Sequence, residues 1–319
     1  MNDNYGGIPI KDEYIPRHAN NYYIYNKRND KLNNNNKKIH VKKKKRKLKR
    51  WVWNVLLIFF VLLTGISIYK IILWNNDNID TSKIVNEINQ TVDIKETEDN
   101  ENTELVGEPE EEENVTPSDY WYYIKFPLID VDFTELKKKN PDTVGWINVN
   151  NTNINYPYVQ TSDNSYYLNH SFDKSYNDAG WVFIDYRNSS DLNNRNTILY
   201  AHSRLDKTMF GSLSKVLKSN WYSNKDNHII RISTDTENTL WQIFSVYKIE
   251  EESYYITTDF SDDDKYVTFL NTLESRSLYD FNTTLTSSDK ILTLSTCYSE
   301  TERTVVHAKL IKKSLKEVN

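Results

Sequence analysis

Apolar positions fall into three regimes along the chain. Residues 1–50 are rich in Asn, Lys and Tyr and offer little that could form a core. Residues 51–74 are almost wholly apolar, on every face a helix would present. The stretch 75–119 is polar again, and only from about residue 120 does the spacing become that of a folded domain. That last part leaves roughly 200 residues, enough for one well-buried core.

Within it the pattern is mostly that of short strands, at 144–149, 154–159, 180–184, 196–202, 228–233, 241–249, 291–296 and 304–311. They are rich in Val, Ile, Tyr and Trp and separated by Asn, Asp, Ser and Gly turns. Strands in this number predict a mostly β fold, a closed barrel or a sandwich. Helices are inserted between them. Residues 132–139 form a short one, stopped by Asn140-Pro141. Residues 208–219 place Met209, Phe210, Leu213, Val216 and Leu217 on one face. Ser261 to Asp264 reads as a capping box, with Tyr266, Phe269, Leu270 and Leu273 following at helical spacing. Regular βαβ alternation is absent, which argues against a doubly wound sheet.

Charge decides what the apolar run is. The net charge of −5 hides an almost wholly basic block at 37–50 and a mostly acidic one at 77–119. The run between them exceeds the roughly 20 residues a helix needs to cross a bilayer. Trp51, Trp53 and Trp74 sit at its ends, where such rings favour the headgroup region, and Lys70 can snorkel. A cleaved signal peptide would need a far shorter basic region and a small-residue cleavage site. The positive-inside rule then places the N-terminus in the cytoplasm and the chain after residue 75 outside. The basic block belongs to this anchor, so no nucleic-acid partner is expected. The expected organisation is a disordered basic cytoplasmic tail over 1–50, a transmembrane helix over 51–74, an acidic disordered stalk over 75–119 and the folded domain over 120–319.

The candidate chemistry centres on Cys297, the only cysteine in the chain. It closes the run Ile291-Leu-Thr-Leu-Ser-Thr-Cys297 and cannot form an intrachain disulfide. A lone thiol is either a buried structural residue or a nucleophile. A nucleophilic thiol needs a base and a group to hold the oxyanion. His202 ends a strand where a loop begins, and function sits at such edges. His307 alternates with Val305 and is either a packed barrel residue or a partner of Cys297. His170 lies in a short helical stretch, and His228 is most simply a surface residue. Arg303 opens the strand after Cys297, where a fixed cation would stabilise a thiolate and an oxyanion. The bland alternative pairs it with Glu300 or Glu302. No His, Cys or Asp cluster has metal-site spacing, and no cofactor is expected.

These residues carry a resemblance. Thr293-Leu-Ser-Thr-Cys297, then Arg303, with Tyr200-Ala-His202 upstream, resembles the sortases, cell-surface transpeptidases of Gram-positive bacteria. Asn140-Pro-Asp-Thr-Val-Gly-Trp-Ile147 with Ile154-Asn-Tyr-Pro157, Asp163-Asn-Ser-Tyr-Tyr-Leu-Asn-His170, Gly180-Trp-Val-Phe-Ile-Asp-Tyr-Arg187 and Met209-Phe-Gly-Ser-Leu213 resemble class B in particular. The resemblance implies an eight-stranded sortase barrel with inserted helices. It implies Cys297 as nucleophile, His202 as general acid/base and Arg303 as clamp, with Asn164, Leu168 and Ser295 lining the groove for the sorting peptide. The expected partners are secreted proteins with a C-terminal sorting signal and an amine of the peptidoglycan cross-bridge or its lipid-linked precursor. Two departures stand out. Ala201 replaces the family's usual glycine, and the Cys297–Arg303 connection is short for class B.

Three other functions are consistent with parts of the sequence. A pilin polymerase would use a lysine of another subunit as the attacking amine. A cysteine protease would force His307 into the role of base. A membrane-tethered scaffold would need no thiol at all. Thiol reactivity separates the last from the enzymes, and capture of the acyl product by an added amine separates transfer from hydrolysis.

Overall fold

A computed structural model of the chain describes residues 49–107, 119–250, 252–297 and 302–316. The expected basic tail, up to residue 48, and stalk positions 108–118 lie outside the described residues. The chain divides into two compact units, Met1–Leu57 and Ile58–Asn319. In the first, the described part is the opening of a long helix.

In chain order the elements are α1 (Arg50–Thr91), β1 (Ile94–Thr97), β2 (Thr103–Leu105), α2 (Tyr120–Tyr123), β3 (Leu128–Val131), α3 (Thr134–Lys139), β4 (Thr143–Val149), β5 (Asn155–Val159), β6 (Phe183–Ile184), β7 (Asn196–His202), α4 (Ser219–Tyr222), β8 (Ile229–Ser233), β9 (Glu237–Glu250), α5 (Asp263–Ser275), β10 (Ile291–Cys297) and β11 (Glu302–Leu315). The sheet runs β10-β7-β6-β5-β4-β8-β9-β11, and β10 pairs with β11 to close it. The result is an eight-stranded barrel made of the eight predicted strands. Closure removes the unpaired edges that an open sheet would expose. The long strands β9 and β11 pair along their whole length, with register shifts at His307/Ala308 and Leu310/Lys312. Such bulges bend a strand and add twist, which closing a barrel requires.

The interior is aromatic and aliphatic. Trp146, Trp181 and Trp241 are fully buried among Ile198, Leu199, Leu292, Leu294 and Val306. Each indole N–H has an acceptor: Asn155 Oδ1, the Pro157 carbonyl and Thr239 Oγ1, all at 2.8 Å. A buried indole left without one would carry a desolvation cost.

The inserted helices depart from expectation in detail. In α5, Tyr266, Phe269, Leu270 and Leu273 pack on Phe244, Tyr247, Ile291 and Val305, as their spacing predicts. Its N-cap is Asp262, whose carboxylate accepts from the Lys265 N–H at 2.8 Å, one residue after the expected Ser261. The helix expected over 208–219 is a 3-10 helix, Phe210–Leu217, followed by α4. Its buried apolar residues, Phe210, Leu213 and Val216, recur every third position, the period of a 3-10 helix.

The region after the apolar run departs most. Instead of a disordered stalk, α1 continues to Thr91, β1 pairs with β3, and β2 pairs with the end of β11. The cause is a stripe at helical spacing. Thr81, Ile84 and Ile88 are buried, with Val85 and Val92 packed beside them in the main core. Polar residues between them, Ser82, Lys83, Asn86, Glu87, Asn89 and Gln90, occupy the outer face.

Two histidines are core residues. His228, expected at the surface, is buried. Its Nε2–H donates to the Tyr222 carbonyl at 2.7 Å, its Nδ1 accepts from the Tyr123 hydroxyl at 2.9 Å, and Tyr222 stacks on the ring. His307 is fully buried between β9 and β10. Thr293 donates its hydroxyl proton to Asn196 Oδ1 at 2.7 Å, so His307 Nδ1–H donates to Thr293 Oγ1 at 2.9 Å. Tyr247 O–H then donates to His307 Nε2 at 2.8 Å. The neutral ring is fully satisfied, and burial pushes its pKa down to about 3.

Two expectations follow. A fragment beginning at residue 120 lacks Ile84, Ile88, β1 and β2. Burying an isoleucine contributes about 1.5–3 kcal/mol, so this fragment should be less stable than one beginning at Asp77 by about 3–6 kcal/mol. Urea unfolding of the two, with equal midpoints as the contrary result, checks this. The second concerns pH. Between the ordinary histidine value of 6.5 and about 3, the unfolded chain binds a proton at His307 that the folded chain does not. Stability should therefore fall with falling pH over that window, by about 1.4 kcal/mol per unit from this residue. Denaturant titrations from pH 7 to 4 should show a shallower fall for His307→Gln than for the parent chain.

Candidate active site

The site is built where three strands end. β10 runs parallel to β7 in unbroken register, from Ile291 opposite Asn196 to Cys297 opposite His202. Neighbouring strands lie about 4.8 Å apart, so the backbones of Cys297 and His202 are side by side at the same end of the barrel. On the other side β10 is antiparallel to β11, with Ser295 opposite Val305. There the ladder gives way to side-chain contacts. Thr296 Oγ1 accepts from the Thr304 N–H at 2.9 Å, and the Arg303 guanidinium donates to the Thr296 carbonyl at 3.3 Å. Arg303 is thereby held at the residue preceding Cys297. Glu302 is engaged by Lys248 at 3.0 Å. Glu300 and the rest of the connection, 298–301, lie outside the described residues.

His202 is oriented from a third direction. Its Nε2 lies 2.7 Å from the Leu168 carbonyl. A carbonyl only accepts, so Nε2 carries a proton. In the neutral ring Nδ1 is then the basic nitrogen. The carbonyl is placed by the 3-10 turn Tyr166–Leu168 and by Gly180 beneath it. Gly180 has φ +60°, and a Cβ there would lie 2.5 Å from the Tyr167 carbonyl oxygen, 2.8 Å from that of Leu168 and 3.1 Å from His202 Cδ2. Glycine is the residue that permits this approach. Ala201, where glycine was the family expectation, sits within β7 opposite Thr296 and outside the positive-φ positions, so its methyl adds no strain.

Of the other anticipated residues, Leu168 is half-buried beside His202. Ser295 is buried, its hydroxyl 3.0 Å from that of Tyr255. Asn164 lies further off. Its Oδ1 accepts from the Tyr186 N–H at 3.0 Å and its Nδ2 donates to Asp185 at 3.0 Å. His170 stacks on Tyr166 with ring centres 4.0 Å apart. His307 pairs with Thr293, four residues before Cys297, and belongs to the core.

Residue-by-residue reading gave Asp185 no role. Its carboxylate is fully buried and accepts from Arg187 Nε at 2.8 Å and Nη2 at 2.7 Å, from the Arg187 N–H at 2.9 Å, and from the Tyr200 hydroxyl at 3.0 Å. Burial pushes this carboxyl up, but the Arg187 contacts outweigh it, and its pKa lies below the ordinary carboxylate value. Asp185 thus ties Asn164 to Tyr200, two residues before His202. The signal available was the pair Asp185-x-Arg187 after a strand, a short-range fork geometry. Among the described residues, no group of three or more His, Cys, Asp or Glu could hold a metal ion.

The geometry can be set beside known proteins. A family model described as the sortase domain matches residues 147–311. Sortase B of Staphylococcus aureus is 41% identical over 186 residues, covering 57% of this chain and 75% of that protein. Sortase B of Listeria monocytogenes is 35% identical over 190 residues, with the same coverage. Among solved structures, a Staphylococcus aureus sortase B–substrate complex has a TM-score of 0.54 at 39% identity, covering 56% of this chain and 84% of the other. A sortase B of Bacillus anthracis has a TM-score of 0.53 at 44% identity, covering 56% and 82%. The matched residues contain six of the eight barrel strands whole, including both strands that set Cys297 beside His202. On fold, strand-end geometry and relatives alike, the chain belongs to the sortase family of transpeptidases, in its class B branch.

Proposed function

We propose that Cys297 is the nucleophile of a transpeptidase that cleaves a C-terminal sorting signal and joins the new end to a cell-wall amine. The observation that carries this reading is the register of β10 against β7, with Cys297 opposite His202 and Arg303 bonded to the intervening strand. In the first step the Cys297 thiol gives its proton to His202 Nδ1, and the sulfur attacks a backbone carbonyl of the signal. The carbonyl oxygen takes up negative charge, and Arg303 stabilises it. The C–N bond breaks, His202 gives its proton to the leaving amine, and a thioester remains. In the second step an amine of the peptidoglycan cross-bridge, or of its lipid-linked precursor, attacks the thioester. His202 takes the amine's proton and passes it to the departing Cys297 sulfur, which restores the thiol. The fixed Nε2–H of His202 makes Nδ1 the nitrogen for both transfers. Leu168 borders the groove beside His202. Asn164 and Ser295 shape its walls through Asp185 and Tyr255.

The apolar part of α1, exposed from Trp53 onward, belongs to a helix of 42 residues that is the one described helix long and apolar enough to cross a membrane. We read 51–74 as the span, the N-terminus as cytoplasmic and the barrel as external, from the charge blocks that flank it.

Four substitutions test the chemistry. Cys297→Ala should abolish cleavage and transfer, since no other thiol exists in the chain. His202→Ala should slow thioester formation by about 10²–10⁴, and Arg303→Ala by about 10²–10³. His307→Ala should lower stability and leave the folded fraction within a few-fold of normal. Single-turnover acylation on a sorting peptide measures all four. A dead His307→Ala beside a near-normal His202→Ala would overturn the assignment of the base. The topology has its own check: protease added to intact protoplasts should release the barrel, whereas survival until lysis reverses the orientation.

A further inference from the structure

Exposure along α1 changes at one place. From Trp53 to Asn76 every residue is exposed, Trp74 at 45%. Asp77 and Asn78 are half-buried, and Thr81 is fully buried. Protein contact therefore begins three residues beyond the last tryptophan of the apolar run, about 4.5 Å along a helix. The headgroup layer on each side of a bilayer is about 5–8 Å deep. Whatever grips Asp77 and Asn78 lies within that layer.

Two loops do so. Asn177 Nδ2 donates to the Asp77 carbonyl at 3.2 Å and to Thr81 Oγ1 at 3.3 Å. Arg204, two residues after His202, donates to Asn78 Oδ1. Beside these grips stand the exposed apolar side chains of the two loops, Tyr176 at 68% and Leu205 at 83%. Leu205 is more exposed than any large apolar residue of the span itself, the highest there being Leu57 at 65%. Water-facing leucine at the tip of a loop has no reward in solution, whereas leucine and tyrosine at headgroup depth do. Lys174, whose ammonium meets Asp142 at 2.9 Å, and Lys207 flank them and are exposed. Of the nearby acids, Asp178 accepts from the Tyr176 hydroxyl, and Asp206 is engaged by Thr208 and Arg204.

We propose that the loop tips 174–178 and 205–207 form a rim that rests among the lipid headgroups of the bilayer α1 crosses, with Leu205 and Tyr176 dipping into it. The end of β7 that carries His202 is thereby held at the membrane surface. This rests on reading 51–74 as a span.

The test uses the full chain with Cys297→Ala, so that an introduced cysteine is the only thiol. Leu205→Cys, Tyr176→Cys, Lys138→Cys and Val61→Cys each carry an environment-sensitive dye. Each is reconstituted into phosphatidylglycerol–phosphatidylethanolamine vesicles containing headgroup-nitroxide lipid. Lys138 is the distant control. It neighbours Lys139, whose partner Glu87 lies about 20 Å beyond Trp74 along the helix. Dyes at 205 and 176 should be quenched several-fold more than the dye at 138, with the dye at 61 shielded from aqueous iodide. A shielded 61 with 205 and 176 quenched no more than 138 overturns the rim and leaves the span intact. A dye at 61 open to iodide overturns the span and the rim together.

Discussion

The hydroxyl of Thr293 holds three strands of the barrel in step. It donates to Asn196 on β7 and accepts from His307 on β11, so β10 is fixed against both neighbours by one side chain. Asn196 is itself tied to the Thr257 carbonyl at 2.9 Å, and His307 to Tyr247. Thr293, Asn196, His307 and Tyr247 are all buried and paired, which is the condition under which a polar network specifies a core rather than weakening it. A slip of one residue would reverse the faces of β10 and break both bonds. The adjacency of Cys297 and His202 four residues on is a consequence of this register.

The second fixed point is the buried Asp185 carboxylate. Five donated hydrogen bonds, from Arg187, Asn164 and Tyr200, converge on it. A buried charge on this scale is tolerated only when paired and bonded. The effect is to link the loop bearing Asn164, the end of β6 and the strand bearing His202 into one rigid body. The Leu168 carbonyl and Gly180 complete the cradle from the adjoining turn.

Much of the barrel was legible because its strands alternate and are bounded by turn residues. Legibility stopped where partners come from far away. His228 is surrounded in sequence by polar residues, and nothing local announces Tyr123, Tyr222 and Phe281 around its ring. The parallel pairing of β7 with β10 leaves no local mark either, so the adjacency of Cys297 and His202 came from the family resemblance rather than from periodicity. The reverse holds for the segment after the apolar run. Thr81, Ile84, Val85, Ile88 and Val92 have plain helical spacing, but the acidic composition around them concealed it. Composition averages over faces, and burial depends on one face alone.

The parallel pairing has a bearing on how the protein comes into being. His202 and Cys297 are about 95 residues apart in sequence, with β8, β9 and α5 made between them. Contacts of such separation form late, because a long loop must be closed before they yield anything. A nascent or clipped chain holds its single thiol away from His202. The two meet only when β10 has slotted between β7 and β11. Barrel closure would therefore act as a safety catch for the proposed chemistry: Cys297 and His202 come side by side when the barrel closes.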